Sequence, residues 1–244
     1  MDGRLTEIAN ALYEAREIIA ISQGLSGKFD AAVSKRLQSV AGGPLSYLAE
    51  NPATSSNAAR NLAFELLIAE RLAAGGQTPT FPSNADVGVA FGRRDVAIQC
   101  KRLWSPDVRA IERNFCNAQK DLKPALKSGA NGIVAFDLSR HLNPRFSVLT
   151  VRTEGEIREG AVALLQEFLN ENSRIWDLAR PGIIGIMARA SFMAQTLGRS
   201  RYTYCQQFVL TPAPRISQSE RETLERLNET FAAATHSDGV RAAS

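Results

Sequence analysis

Histidine is nearly missing from this 244-residue chain; His141 and His236 are the only two. A nucleophile that relies on a histidine base therefore has almost nothing to draw on. Cysteine is scarce as well: Cys100, Cys116 and Cys205 are odd in number, widely spaced and form no CxxC pair. That spacing argues against a disulfide framework and a structural zinc site, and it fits a reducing cytoplasm. No apolar run approaches the roughly 18 residues needed to cross a bilayer, so no membrane role is expected. The opening M-D-G-R-L-T-E lacks the basic-then-apolar pattern of a secretory signal. Neither a Walker A loop nor a GxGxxG loop occurs, and the glycines at 24, 27, 42 and 43 fit helix ends instead.

What is present is a chain 44% hydrophobic and 22% charged. That composition belongs to an ordinary soluble protein, either one large domain or a core with a helical appendage. The net charge of +4 is unevenly placed. Residues 93–145 hold eleven Lys/Arg and five Asp/Glu, a balance of +6 that leaves −2 for the remainder. A polyanion would be drawn to that stretch.

Apolar spacing predicts helices at 4–22 (on Ile8, Leu12, Ala15 and Ile19) and 28–41 (on Phe29, Val33, Leu37 and Val40). A linker at 45–54 follows, and residues 1–55 form a helical appendage without chemistry of its own. The core is expected over 56–235, opening with a helix at 57–74 on Leu62, Leu66, Ala69 and Leu72. In that helix Glu70 reads as a surface charge. Ser105-Pro106-Asp107 predicts another helix start with Ser105 as its cap, and Val108, Ile111, Phe115, Ala118 and Leu122 form the buried stripe. The apolar run G-I-V-A-F-D-L at 132–138 reads as a buried strand, so the helix before it makes a parallel crossover. A short strand at 146–151, helices over 155–179, strands at 183–190 and 202–210, and a helix from the capping box at Ser219 to about 234 complete the chain. Residues 236–244 are expected to be disordered. The fold class is α/β, with a mixed central sheet over about 79–210 flanked by helices.

The informative stretch is N-A-D-V-G-V-A-F-G-R-R-D-V-A-I-Q-C-K-R, residues 84–102. Val87, Val89 and Phe91 alternate along one strand, Val96, Ile98 and Cys100 along a second, with a turn at Gly92-Arg93-Arg94. A strand period of two puts Gln99 and Lys101 together on the face away from the packing, with Cys100 turned inward as a core residue. The hairpin brings Asp86 towards Gln99. An acid, an amide oxygen and an amine converging there can hold a divalent metal and a water. Taken singly, Asp86 reads equally as a turn residue, Gln99 and Lys101 as an exposed strand face, and Glu65 as a solvated flank of its helix.

Asp86 followed by Gln99-Cys100-Lys101 resembles the signature of the PD-(D/E)XK, or restriction-endonuclease-like, nuclease superfamily. That signature is an acid and then (D/E)-x-K on a hairpin, with Gln replacing the second acid in some members. The helix N-L-A-F-E-L-L-I-A-E-R-L-A-A-G-G at 61–76 resembles the family's upstream helix, with Glu65 matching its acid. The resemblance spans residues 57–138. It implies a metal-dependent nuclease that hydrolyses phosphodiester bonds in DNA rather than RNA, using Mg²⁺ or Mn²⁺. Glu65, Asp86 and Gln99 would hold the metal, and Lys101 would orient the attacking water and stabilise charge in the transition state. With Gln99 for an acid, one tightly held ion is expected rather than two.

Arg94, Arg102, Arg109, Arg113, Lys120 and Lys123 are the candidate nucleic-acid contacts, the last four forming a stripe on one helix. The alternative reading is a module on the same scaffold that binds nucleic acid or a protein partner, its catalysis lost with Gln99. A homodimer is compatible with either.

Overall fold

The computed structural model describes residues 3–27, 30–43, 58–105, 107–198 and 202–241, with residues 3–6 and 235–241 as backbone alone. The expected linker at 45–54 and the core residue Phe29 lie outside them. Seven helices and six strands follow in the order α1 (Gly3–Gly24), α2 (Ala31–Ala41), α3 (Ala58–Ala74), β1 (Val87–Phe91), β2 (Arg94–Arg102), α4 (Val108–Lys127), β3 (Asn131–Asp137), α5 (Ser139–Leu142), β4 (Leu149–Val151), α6 (Glu154–Glu171), β5 (Ile183–Thr196), β6 (Tyr202–Pro212) and α7 (Gln218–Arg241). A 3-10 turn, Ser173–Leu178, follows α6. Helix α7 continues as far as Arg241, past the end expected near 234. No described helix is long and apolar enough to cross a membrane.

The strands form one mixed sheet in the order β1-β2-β3-β5-β4, with β6 beside β5. The pairs β2–β3, β3–β5 and β4–β5 are parallel, whereas β1–β2 and β5–β6 are antiparallel hairpins. The fold is therefore α/β, as its alternation of apolar runs and amphipathic helices implied. Gly92 takes φ +68 in the β1–β2 turn, a conformation that costs glycine nothing. Helix α4 carries β2 over to β3, and its cap is Asp107 rather than Ser105. The Asp107 side chain accepts from the Arg109 amide at 3.1 Å, while Ser105 Oγ accepts from the Asp107 amide at 3.1 Å.

Apolar side chains alternate across the sheet and feed two cores. One face, with Ala97, Val134, Phe136, Ile186 and Ala188, packs against α4 and α6. The other, with Val96, Ile98, Cys100, Ile133, Ala135 and Met187, packs against α3 and α7. Helix α3 lies deepest. Every residue from Ala63 to Leu72 is buried, because α1, α2 and α7 cover the side that the sheet leaves open. Glu70, expected on the surface, is therefore buried beside Arg71, with 3.4 Å between the Arg71 Nε and its carboxylate.

Close packing at Gly75 makes this arrangement testable. A Cβ there would lie 2.3 Å from the backbone oxygen of Thr230 on α7. Gly75→Ala is expected to push α7 away from α3 and to cost about 1–3 kcal/mol in urea unfolding. A loss under 0.5 kcal/mol would show that α7 is not fixed by this contact.

Helix α1 is turned the opposite way from its apolar pattern. Ile8, Leu12, Ile18 and Ile19 are exposed, whereas Asn10, Glu14 and Glu17 are buried with Ala9, Tyr13 and Ile21. The reason is electrostatic. Glu14 pairs with Arg60 of α3 at 3.0 Å, and Glu17 pairs with Arg189 of β5, which has no exposed surface. An arginine buried so completely requires a carboxylate on each accessible side. Asp137, at the end of β3, supplies the second at 3.1 Å. Ser139 donates both its amide (3.0 Å) and its hydroxyl (2.6 Å) to the other Asp137 oxygen. Tyr13 bonds Ser191, and Tyr204 accepts from Arg189 at 3.3 Å. Burial alone would raise the Asp137 carboxyl, but the charges of Arg189 and Arg102 and the Ser139 bonds hold it below its ordinary value. Helix α1 is thus held to the sheet through buried ions.

Candidate active site

Asp86 sits one residue before β1. In the antiparallel register Val87 faces Ile98, which carries Asp86 to the position opposite Gln99. There the Asp86 carboxylate accepts the Cys100 amide at 2.8 Å and a bond from the Gln99 side chain. In this bond the Gln99 amide nitrogen is the donor, since a carboxylate only accepts. Gln99 therefore presents its oxygen elsewhere. A carboxylate in its place would repel Asp86.

The face that carries Gln99 is not open to solvent as expected. Gln99 is buried and Lys101 half-buried, because the same side of β2 is covered by α4. Lys101 Nζ donates to Asp121 Oδ2 of α4 at 2.7 Å. Cys100 points to the opposite core, and burial pushes its thiol well above the ordinary value, which suits packing rather than nucleophilic attack. The three cysteines are all free.

Glu65 approaches from α3, itself buried. Its carboxyl is raised to about 7, first by burial and then by the charge of Asp86; Arg36 and Lys101 pull it back down. Burial likewise raises the Asp86 carboxyl, partly offset by the Cys100 amide and by Lys101. Glu65, Asp86, Gln99 and Lys101 thus meet at one place, delivered by a helix and the two strands of a hairpin. Burial is the first cause of both shifts and holds each carboxyl above its ordinary value, even with Arg36 paired to Glu65 and Lys101 acting on both.

Two further residues belong to this site. Arg36 of α2 donates from Nε to Glu65 Oε2 at 3.0 Å and lies over the Phe81 ring, 4.2 Å from its centroid. The N-terminal helices therefore do contribute to the site. Nothing local marks Arg36 in the sequence, since its contact is 29 residues away. Asp121, which holds Lys101, sits on the basic helix as an ordinary alternating charge and carries no motif either.

Of the candidate nucleic-acid contacts, Arg94, Arg109, Arg113, Lys120 and Lys123 are exposed. At about 100° per residue the four on α4 fall within roughly 80° of one another, opposite the buried stripe. Arg113 lies 3.9 Å from Asp107. Arg102 does not belong with them. It is buried, with its Nε 3.4 Å from Asp137 and its guanidinium 5.5 Å from the centre of the Trp104 ring, so it serves the ion cluster beneath α1.

The donors available to a metal are two carboxylates and an amide oxygen, all hard oxygen ligands. Among the described residues no group of three or more His, Cys, Asp or Glu forms a metal cluster. Such a sparse, oxygen-only set suits a Mg²⁺-like ion that keeps several waters. No family model, curated protein or solved structure matches the chain.

Proposed function

We propose that this protein is a metal-dependent nuclease that hydrolyses phosphodiester bonds in DNA. The observation that carries this reading is the convergence of Glu65, Asp86, Gln99 and Lys101 from separate elements on one largely buried spot. The order helix, hairpin, crossover helix and parallel strand also agrees with the resemblance to PD-(D/E)XK nucleases. Asp86, Glu65 and the Gln99 oxygen would hold Mg²⁺ or Mn²⁺. When bound, the ion supplies charge neutralisation at the phosphoryl oxygens and lowers the pKa of the attacking water.

Lys101, fixed by Asp121, positions that water and offers its ammonium to charge that develops on the phosphoryl group. The Cys100 amide and the Gln99 side chain orient the Asp86 carboxylate. The exposed stripe from Arg109 to Lys123 gives the phosphate backbone a sequence-independent track.

The test is a cleavage assay on single-stranded DNA, duplex DNA and RNA with Mg²⁺, Mn²⁺ or EDTA. DNA cutting should require metal, vanish in Asp86→Ala and fall by about 10²–10³ in Lys101→Ala. Cutting that survives both substitutions would place the active site elsewhere. Binding without cutting under any metal would leave a nuclease-like binding module instead.

A further inference from the structure

We propose that Arg36 of α2 acts as an internal cation in the metal's seat, so that a divalent ion must displace it from Glu65 to load the site. The inference rests on the nuclease reading above. Three observations carry it. The guanidinium of Arg36 donates directly to Glu65 Oε2 at 3.0 Å, an oxygen that the metal would need. The arginine is not anchored by a second acid: among the interactions described for it, its other support is the Phe81 ring, which holds a flat cation without neutralising it. Its side chain is also only partly covered, whereas Glu65 is nearly enclosed, so the arginine can swing outward but the carboxylate cannot follow.

The consequence is a threshold. Two cations cannot share Glu65 without repelling one another at short range. Metal binding therefore releases Arg36 towards the rim, where its planar fork suits an incoming phosphate. Helix α2 then serves as more than cover, since it sets how much metal the site demands.

The experiment is calorimetric titration of Mn²⁺, without nucleic acid, into the full chain and its variants. Arg36→Gln removes the charge and keeps much of the length, and it should bind Mn²⁺ about fivefold more tightly than the wild type. Arg36→Lys should remain near the wild-type affinity. Phe81→Leu, which loosens the arginine without touching either carboxylate, should shift affinity in the same direction as Arg36→Gln but less. Asp86→Ala should abolish the binding. Circular dichroism spectra of all variants confirm that they are folded.

Equal or weaker binding by both Arg36→Gln and Phe81→Leu, with Asp86→Ala still abolishing it, overturns the proposal and leaves the nuclease reading intact. Mn²⁺ binding that persists in Asp86→Ala, or no binding in any variant, removes the metal centre itself and the proposal with it.

Discussion

Arg189→Met should destabilise the protein by on the order of 3–5 kcal/mol, the usual cost of removing one partner from a buried ion pair. Arg189 is wholly enclosed and lies between Glu17 and Asp137, themselves buried. The substitution keeps an apolar stem and deletes the guanidinium with its charge and its bonds to Glu17, Asp137 and Tyr204. Asp137 retains Arg102 and Ser139, and Glu17 retains the Tyr204 hydroxyl at 3.4 Å but loses the guanidinium it is paired with. Adding Glu17→Gln to Arg189→Met should therefore recover part of the loss, a coupling that a double-mutant cycle in urea reads directly. A loss below about 1 kcal/mol in the single variant would mean that the cluster is not what holds α1 to the sheet.

Glu65→Gln should abolish cleavage and yet yield a more stable protein at pH 8. The Glu65 carboxyl is raised to about 7 from an ordinary 4.5. Between those values the folded state binds more protons than the unfolded state, so stability falls as pH rises through this window and levels off above it. Glutamine does not titrate, so the variant escapes that fall. The full shift is an upper bound, because the amide also forgoes the Arg36 bond, and a gain of about 1–2 kcal/mol at pH 8 is expected. At pH 4 the two proteins should differ little. Urea midpoints of both proteins across pH 4–8 check this; curves that stay parallel would refute the burial account of Glu65.

The parts of this molecule written in local pattern were legible in advance. Alternation located β1 and β2, the three-to-four spacing of Ile111, Phe115, Ala118 and Leu122 located α4, and the apolar run ending at Asp137 located the parallel β3. Asp86 and Gln99 could be paired because hairpin register is a short-range property. What could not be read depends on distant partners. Helix α1 presents Ile8 and Leu12 outward because Glu14 and Glu17 answer arginines 46 and 172 residues away. Glu70 looked like a surface charge because periodicity assumes one buried face, and α3 has no free face. Arg102 followed Lys101 in a basic run and seemed to share its exposure, but strand alternation sends it to the Asp137 cluster. Arg36 was invisible for the same reason as Glu17: a long side chain carries no record of which carboxylate it will meet.

The ion cluster beneath α1 also fixes a timetable. Glu17 would leave a ribosome 172 residues before its partner Arg189 and 187 before Tyr204. Because α1 sets Glu14 and Glu17 among the apolar groups that face its seat, nonspecific collapse holds it there only weakly in the meantime. Its seat, begun by Arg60 of α3, is complete only once β5 and β6 have joined the sheet. Helix α1 settles after strands made long after it, and until then its acids stay hydrated and its isoleucines are open to whatever is nearby. A nascent chain built this way keeps α1 waiting until the strands over residues 183–212 have been synthesised.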